Sequence, residues 1–218
     1  MSAITVYVAR HAETTWNAVG RYQGRLESAL SGLGVAQGCA LASHFAGLLA
    51  ADARLPKRVI ASPLLRCTAT ARFSADILDV PVERDDRLIE IAHGTWEGRY
   101  RGEIAANDPA RYRAWREDPA HVAFERGERV CDVRTRWQDF AATIASSEDD
   151  VLVVTHDAVC RVAMLDALGR GLDAFWTVPV ENAAFARYAA RDGRLELVDG
   201  CVTGHLDTLR ASLERQAL

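Results

Sequence analysis

At 218 residues the chain fits one large domain, or one domain carrying an insertion, against the usual ~100 to 200 residues per domain. Apolar residues make up 49% and charged residues 26%, with a mean hydropathy of -0.08, which excludes a disordered or lipid-embedded composition. Lys+Arg 26 against Asp+Glu 30 gives a net charge of -4, so no overall basic field recruits nucleic acid or an anionic membrane, and any anion site must be local.

In chain order, residues 4–9 form a short β-branched and apolar run that breaks at Arg10-His11, as a buried parallel strand does when its end opens into a site. Residues 33–49 carry apolar side chains at helical spacing after Ser31-Gly32, and Pro56-Lys57 precedes a second strand at 58–61. Ser62-Pro63 then opens a helix running to about Leu78, with Ser62 as N-cap and Pro63 in its first turn. A third strand is expected at 82–84. The stretch from Leu88 to Asp118 is rich in Arg, Glu, Trp and Tyr and broken by Gly94, Gly98, Gly102, Pro109 and Pro119, so a cap insertion is placed at about 92–128 of a single 1–218 domain.

Residues 129–145 read as helix, and Val151-Leu152-Val153-Val154 is the strongest buried-strand signal, ending at Thr155-His156. A helix is expected at 158–168, then strands at 183–190 and 195–198 joined by Asp192-Gly193, a hairpin signal for an antiparallel edge. The last stretch, 206–218, reads as a helix.

Lys57 is the only lysine, so 25 of the 26 basic residues are arginine, which is read as genome composition. Five cysteines, Cys39, Cys67, Cys131, Cys160 and Cys201, are an odd, scattered set without a C-x-x-C pair, so neither a disulfide framework nor a cysteine zinc site is expected. The N-terminus has no basic leader before Arg10-His11, and no later stretch is expected to reach membrane-spanning length. A reducing cytoplasm is the expected location, without a membrane or nucleic-acid partner; a homodimer is left open.

In an open α/β sheet, ligands bind beyond the carboxyl ends of the strands, where helix N-termini also point. Three such ends carry Arg10-His11, Ser62 through Arg66, and His156-Asp157. Two arginines and two histidines at one crevice suit a phosphomonoester, a near-dianion at neutral pH whose oxygens match the arginine fork. Clustered cations depress the pKa of a neighbouring imidazole and keep it neutral and nucleophilic, while a carboxyl beside the phosphate is pushed toward its acid form and can protonate the leaving oxygen.

These residues resemble the histidine phosphatase superfamily, also called the phosphoglycerate mutase-like family. Arg10-His11-Ala12-Glu13-Thr14-Thr15-Trp16-Asn17 is similar to its R-H-G-E-T-x-x-N signature, and Gln23-Gly24 with Leu30-Ser31-Gly32-Leu33-Gly34 resembles the segment that follows. Ala61 through Ala71 is similar to S-x-L-x-R-x-x-x-T-A, Glu90 through Gly98 to E-x-x-x-G-x-W-E-G, and Thr155-His156 matches the later histidine. The resemblance spans about 4–182, with separated motifs in the expected order. It implies a three-layer α/β/α sandwich with a mostly parallel central sheet, an antiparallel edge and a helical cap.

Carried over by position, the resemblance makes His11 the nucleophile that becomes phosphohistidine and Glu90 the proton donor. Arg10, Arg66 and His156 complete the charged pocket, Asn17 and Gln23 join them at the phosphate, and no metal or cofactor is implied. Ala12 stands where glycine is usual, and Asp157 where glycine follows the second histidine; Asp157 can serve the phosphate through its backbone N–H if its charge points away. Glu27 and Ala29 replace a common Asp and Pro and are expected to affect only the loop. His44, His93, His121 and His205 are read as surface or packing residues, and Trp96 and Trp115 as packing the cap onto the core.

Other phosphatase chemistries lack their patterns: Cys67 reaches Arg72 and Cys131 reaches Arg136 one residue too early for C-x5-R, and no D-x-D-x-T/V, Walker or H-E-x-x-H motif occurs. The expectation is a metal-independent phosphatase for a small-molecule phosphomonoester. The rival expectations are a phosphoglycerate-type mutase, which usually carries Glu-Arg-x-Tyr-Gly where this chain has Glu90-Ile91-Ala92-His93-Gly94, and a non-catalytic phosphate-binding module.

Overall fold

The computed structural model describes residues 4–51, 53–212 and 216–217. Six strands, β1 (Ile4–Arg10), β2 (Arg58–Ala61), β3 (Val82–Arg84), β4 (Val151–Thr155), β5 (Phe185–Arg191) and β6 (Arg194–Val202), form one sheet in the order β3-β2-β4-β1-β5-β6. The first four in that order are parallel, and β5 and β6 close the edge antiparallel. Asp192 and Gly193 both take positive φ, 50° and 73°, the two-residue turn geometry that lets a hairpin keep its strand twist.

Because side chains alternate faces, β1 and β4 each feed two cores. Val6, Val8, Val151 and Val153 belong to one, which α6 (Val130–Ile144) and α7 (Asp157–Ala167) cover with Trp137, Phe140, Val159 and Val162. Tyr7, Ala9, Leu152 and Val154 belong to the other, covered by α2 (Gly32–Ala50) and α3 (Leu65–Leu78) through Leu41, Phe45, Cys67 and Ala71. Burial on both faces explains why these strands are unbroken apolar runs. The result is the three-layer α/β/α arrangement.

Between β3 and α6 the chain leaves the sheet as α4 (Arg101–Asn107), α5 (Pro109–Glu117) and single 3₁₀ turns at Gly94–Trp96 and Pro119–His121. Trp96 and Trp115, each 1% exposed, pin this excursion to the body through ring contacts with Tyr22, Phe124 and Phe175. At the far end of the sheet, Lys57 enters β2 with its side chain 76% exposed and its ammonium 3.6 Å from Asp149.

Four sequence expectations are corrected. Helix α3 starts at Leu65 rather than at Ser62-Pro63, and Ser62 makes no helix cap. Its first free N–H, on Leu65, is instead taken by both carboxylate oxygens of Glu27 at 3.0 and 3.1 Å, so Glu27 caps a helix and does more than shape a loop. Helix α2 contradicts the expectation that no stretch reaches spanning length: its 19 residues reach a hydropathy of 1.4 over their best window. Nine of the 19 are Ala or Gly, and the larger Leu41 and Phe45 lie in the sheet core. The helix expected at 206–218 is absent over its described part, which has one 3₁₀ turn at Asp207–Leu209 and then irregular chain; 213–215 and 218 lie outside the described residues. Gln216 and Ala217 are buried against the body.

Candidate active site

The carboxyl ends of β1, β2 and β4 lie side by side, and the residues just past them meet in one cavity. It is lined by Arg10, His11, Asn17, Gln23, Arg66, Glu90 and Asp157, with Ile91, His93, Trp115, Phe175 and Ala217 closing it. His156 lies directly beside His11, ring centroids 5.3 Å apart. All the residues singled out from sequence are therefore brought together.

His11 Nδ1 is 2.8 Å from the carbonyl of Ala12. A carbonyl only accepts, so Nδ1 carries the ring hydrogen and Nε2 keeps its lone pair. Burial, then the guanidiniums of Arg66 and Arg10, hold the His11 pKa well below its usual value, leaving the ring neutral at pH 7. His156 is likewise lowered by burial and then Arg66, and its Nε2 pairs with Ser62 Oγ at 2.7 Å. Ser62 is thus drawn to the histidine, which is why it does not cap α3.

The two arginines are 1% exposed, Arg66 held by backbone oxygens and Arg10 chiefly by side chains. Arg66 donates to Leu26 O at 2.9 Å and Gly24 O at 2.6 Å. Gly24 offers that carbonyl from φ +50°, and a Cβ there would fall 2.1 Å from Glu97 Oε1, so any other residue would be strained and would push the Glu97 side chain aside. Arg10 donates Nη2 to Gln216 Oε1 at 2.6 Å. In both arginines Nε is buried without a partner among the described residues. A buried unpaired donor is costly, and two in one cavity mark the place of an anion.

Asn17 and Gln23 aim donors the same way. Thr14 N–H donates to Asn17 Oδ1 at 3.1 Å, and the hydroxyls of Ser28 and Thr14 meet Gln23 Oε1 at 2.7 and 3.0 Å, which leaves the amide NH2 of each for the cavity. Glu90 is 8% exposed, with Oε1 accepting from Ile91 N–H at 2.9 Å. Burial, then Asp157, raises its pKa to about 7 against the opposing pull of Arg66, the Ile91 amide and Arg10. It is a carboxyl able to give and take a proton near neutral pH.

His93, read from sequence as surface or packing, is 5% exposed and lines the cavity. It sits among Tyr22, Trp115 and Phe124, 5.1, 5.7 and 4.8 Å away by ring centroids, and neither ring nitrogen has a partner among the described residues. Burial lowers its pKa to about 3. The only sequence signal was its place three residues after Glu90 inside the E-x-x-x-G segment.

The cavity is narrow, with about 20 Å³ of free volume, room for roughly one water molecule. Its polar wall offers a lone-pair imidazole, paired cationic donors and a protonatable carboxyl, the parts needed to transfer a phosphoryl group.

Comparison with known proteins agrees. Phosphoserine phosphatase 1 of Hydrogenobacter thermophilus is 33% identical over 206 residues, covering 93% of this chain and 94% of that protein. Glucosyl-3-phosphoglycerate phosphatase of Mycobacterium tuberculosis is 31% identical over 197 residues, 81% of this chain and 85% of that one. Among solved structures, Bacillus stearothermophilus YhfR superposes with a TM-score of 0.85 at 30% identity, covering 94% of this chain and all of that one. The profile of the histidine phosphatase superfamily (branch 1) matches residues 6–202, and the chain belongs to that superfamily as a phosphatase of the phosphoglycerate mutase-like kind.

Proposed function

We propose that the protein is a metal-independent phosphatase that hydrolyses a small-molecule phosphomonoester through a phosphohistidine at His11. The observation that carries this reading is the free lone pair on Nε2 of neutral His11 in one cavity with Arg10 and Arg66, whose Nε groups have no partner among the described residues. Nε2 attacks phosphorus while the bond to the leaving oxygen breaks, and Glu90 delivers its proton to that oxygen. Arg10, Arg66, Asn17, Gln23 and His156 take the charge spread over the remaining oxygens. Water then attacks the phosphohistidine, Glu90 recovers a proton from it, and phosphate leaves with His11 neutral again.

Phosphoserine is the substrate we favour. Relatives named phosphoserine phosphatases support this choice. His93, with both nitrogens unengaged, is placed to meet the polar part of that leaving group.

The test is phosphate release in EDTA from phosphoserine, 3-phosphoglycerate, glucosyl-3-phosphoglycerate and α-ribazole phosphate, with wild type and His11→Ala. Release that survives EDTA, is fastest on phosphoserine and falls roughly 10⁴-fold or more in the variant is expected. Release abolished by EDTA, or retained by His11→Ala, defeats the mechanism; binding without release favours the phosphate-binding module, and isomerised phosphoglycerate the mutase. Glu90→Gln should slow phosphoserine roughly 10²- to 10⁴-fold and spare p-nitrophenyl phosphate; equal losses remove Glu90 from the acid role.

A further inference from the structure

Beside a dianionic phosphate a second carboxylate is out of place, because its repulsion in a buried site is strong. Asp157 nevertheless opens α7 at the cavity wall, 5% exposed. It is held on two sides. Arg161, one turn further on, donates Nε to Oδ2 at 2.7 Å and Nη2 to Oδ1 at 3.3 Å. Arg161 is itself fixed by the Val178 carbonyl at 2.5 Å and by the ring faces of Phe175 and Trp176, 5.6 and 4.8 Å from its guanidinium carbon. On the other side Arg10 Nη1 lies 3.5 Å from Asp157 Oδ1. One buried carboxylate therefore ties a phosphate-facing arginine to an arginine locked in the body of the protein.

We propose that Asp157 is a positioning residue: anchored by Arg161, it fixes Arg10 at the phosphate and sets its own charge against Glu90, which lines the same cavity. The proposal rests on the phosphatase reading above. The groups acting on Glu90 are Arg10 from β1, Arg66 and Cys67 from α3, Arg136 from α6, and Asp157 and Cys160 from α7. Burial pushes both thiols up, so they are neutral, as are His11, His93 and His156. Three guanidiniums favour the Glu90 carboxylate, and Asp157 is the one charge in that set opposing them. Burial works against the Asp157 charge too, yet Arg161 and Arg10 outweigh it and hold its carboxyl below the usual range. Arg161, ion-paired with Asp157, offsets part of that charge, which spares phosphate affinity.

The test is kcat against pH for Asp157→Asn on phosphoserine. In the wild type kcat falls on the alkaline side as Glu90 loses its proton. Without the Asp157 charge Glu90 gives up that proton sooner, so the fall moves to lower pH, by about half a unit or more. Asn leaves Arg161 buried and unpaired, which can unfold the protein; Asp157→Asn with Arg161→Met removes both charges, and a downward shift smaller than that of Asp157→Asn is expected. Melting curves establish that each variant is folded. An alkaline fall that stays at its wild-type pH in a folded variant, whatever the loss of rate, makes Asp157 a structural ion-pair partner and overturns the proposal. A wild-type fall that persists in Glu90→Gln strikes the phosphatase mechanism itself instead.

Discussion

Glu90 holds a proton near neutrality because its surroundings disfavour its charge, and that works against folding. Unfolded, a glutamate releases its proton near pH 4.3; folded, Glu90 keeps it to about pH 7. Between those values the native state binds the extra proton, so stability falls as pH rises through the window. Glu90→Gln should therefore melt close to wild type at pH 5 and above it at pH 8. A constant difference across that range would mean that the native carboxyl is not perturbed. His93 presents the same conflict with a different group. Its two unpartnered nitrogens are a stability cost, so His93→Phe, which fits among Tyr22, Trp115 and Phe124, should raise Tm while lowering kcat/KM for phosphoserine about tenfold. A higher KM with unchanged kcat locates the lost contact in substrate binding. His11, Arg10, Arg66, Glu90 and His156 were legible because each sits in a spaced motif. The roles proposed for His93 and Asp157 were not, since they depend on the neighbours that folding supplies.

Elements were legible where local pattern and tertiary setting agree. Val151–Val154 are apolar because both faces of β4 are covered, and Asp192-Gly193 marks a turn because both residues need positive φ. The start of α3 was misplaced because Ser62, a good N-cap by type, is hydrogen-bonded to His156, and a carboxylate 38 positions back caps Leu65 instead. Glu27 belongs to the loop whose Gly24 and Leu26 carbonyls hold Arg66, so the cap and the anchor of the proposed phosphate contact share one piece of chain. Glu27→Ala should lower stability by about 1 kcal/mol and raise KM with it. Glu27→Asp should recover part of both, and a KM unmoved by a destabilising Glu27→Ala would separate the two roles. The end of the chain misled for a related reason: Gln216 bonds Arg10 and Asn182, and those tertiary bonds outweigh local helix propensity.

At the scale of the whole molecule, one sheet serves two cores, and the excursion from Gly94 to His121 is joined to them mainly by an aromatic cluster around Trp96 and Trp115. Amide exchange should accordingly be slowest in β1 and β4 and faster in α4 and α5. Trp115, from α5, lines the cavity, so access to the cavity would change with a movement of this cover. Inorganic phosphate, once bound beneath it, should slow exchange in α5 more than in α2, which lies on the other face of the sheet. Equal protection in the two helices would count against a moving cover.

Lys57 enters β2 from the end opposite to the one where Ser62, His11 and His156 meet, and about 13 Å of strand lies between. As the only lysine, and an exposed one, it gives the protein a single side-chain amine. Amine-directed dyes or resins that leave the α-amino group unreacted would therefore attach at one position, with the mouth of the cavity turned away from the label.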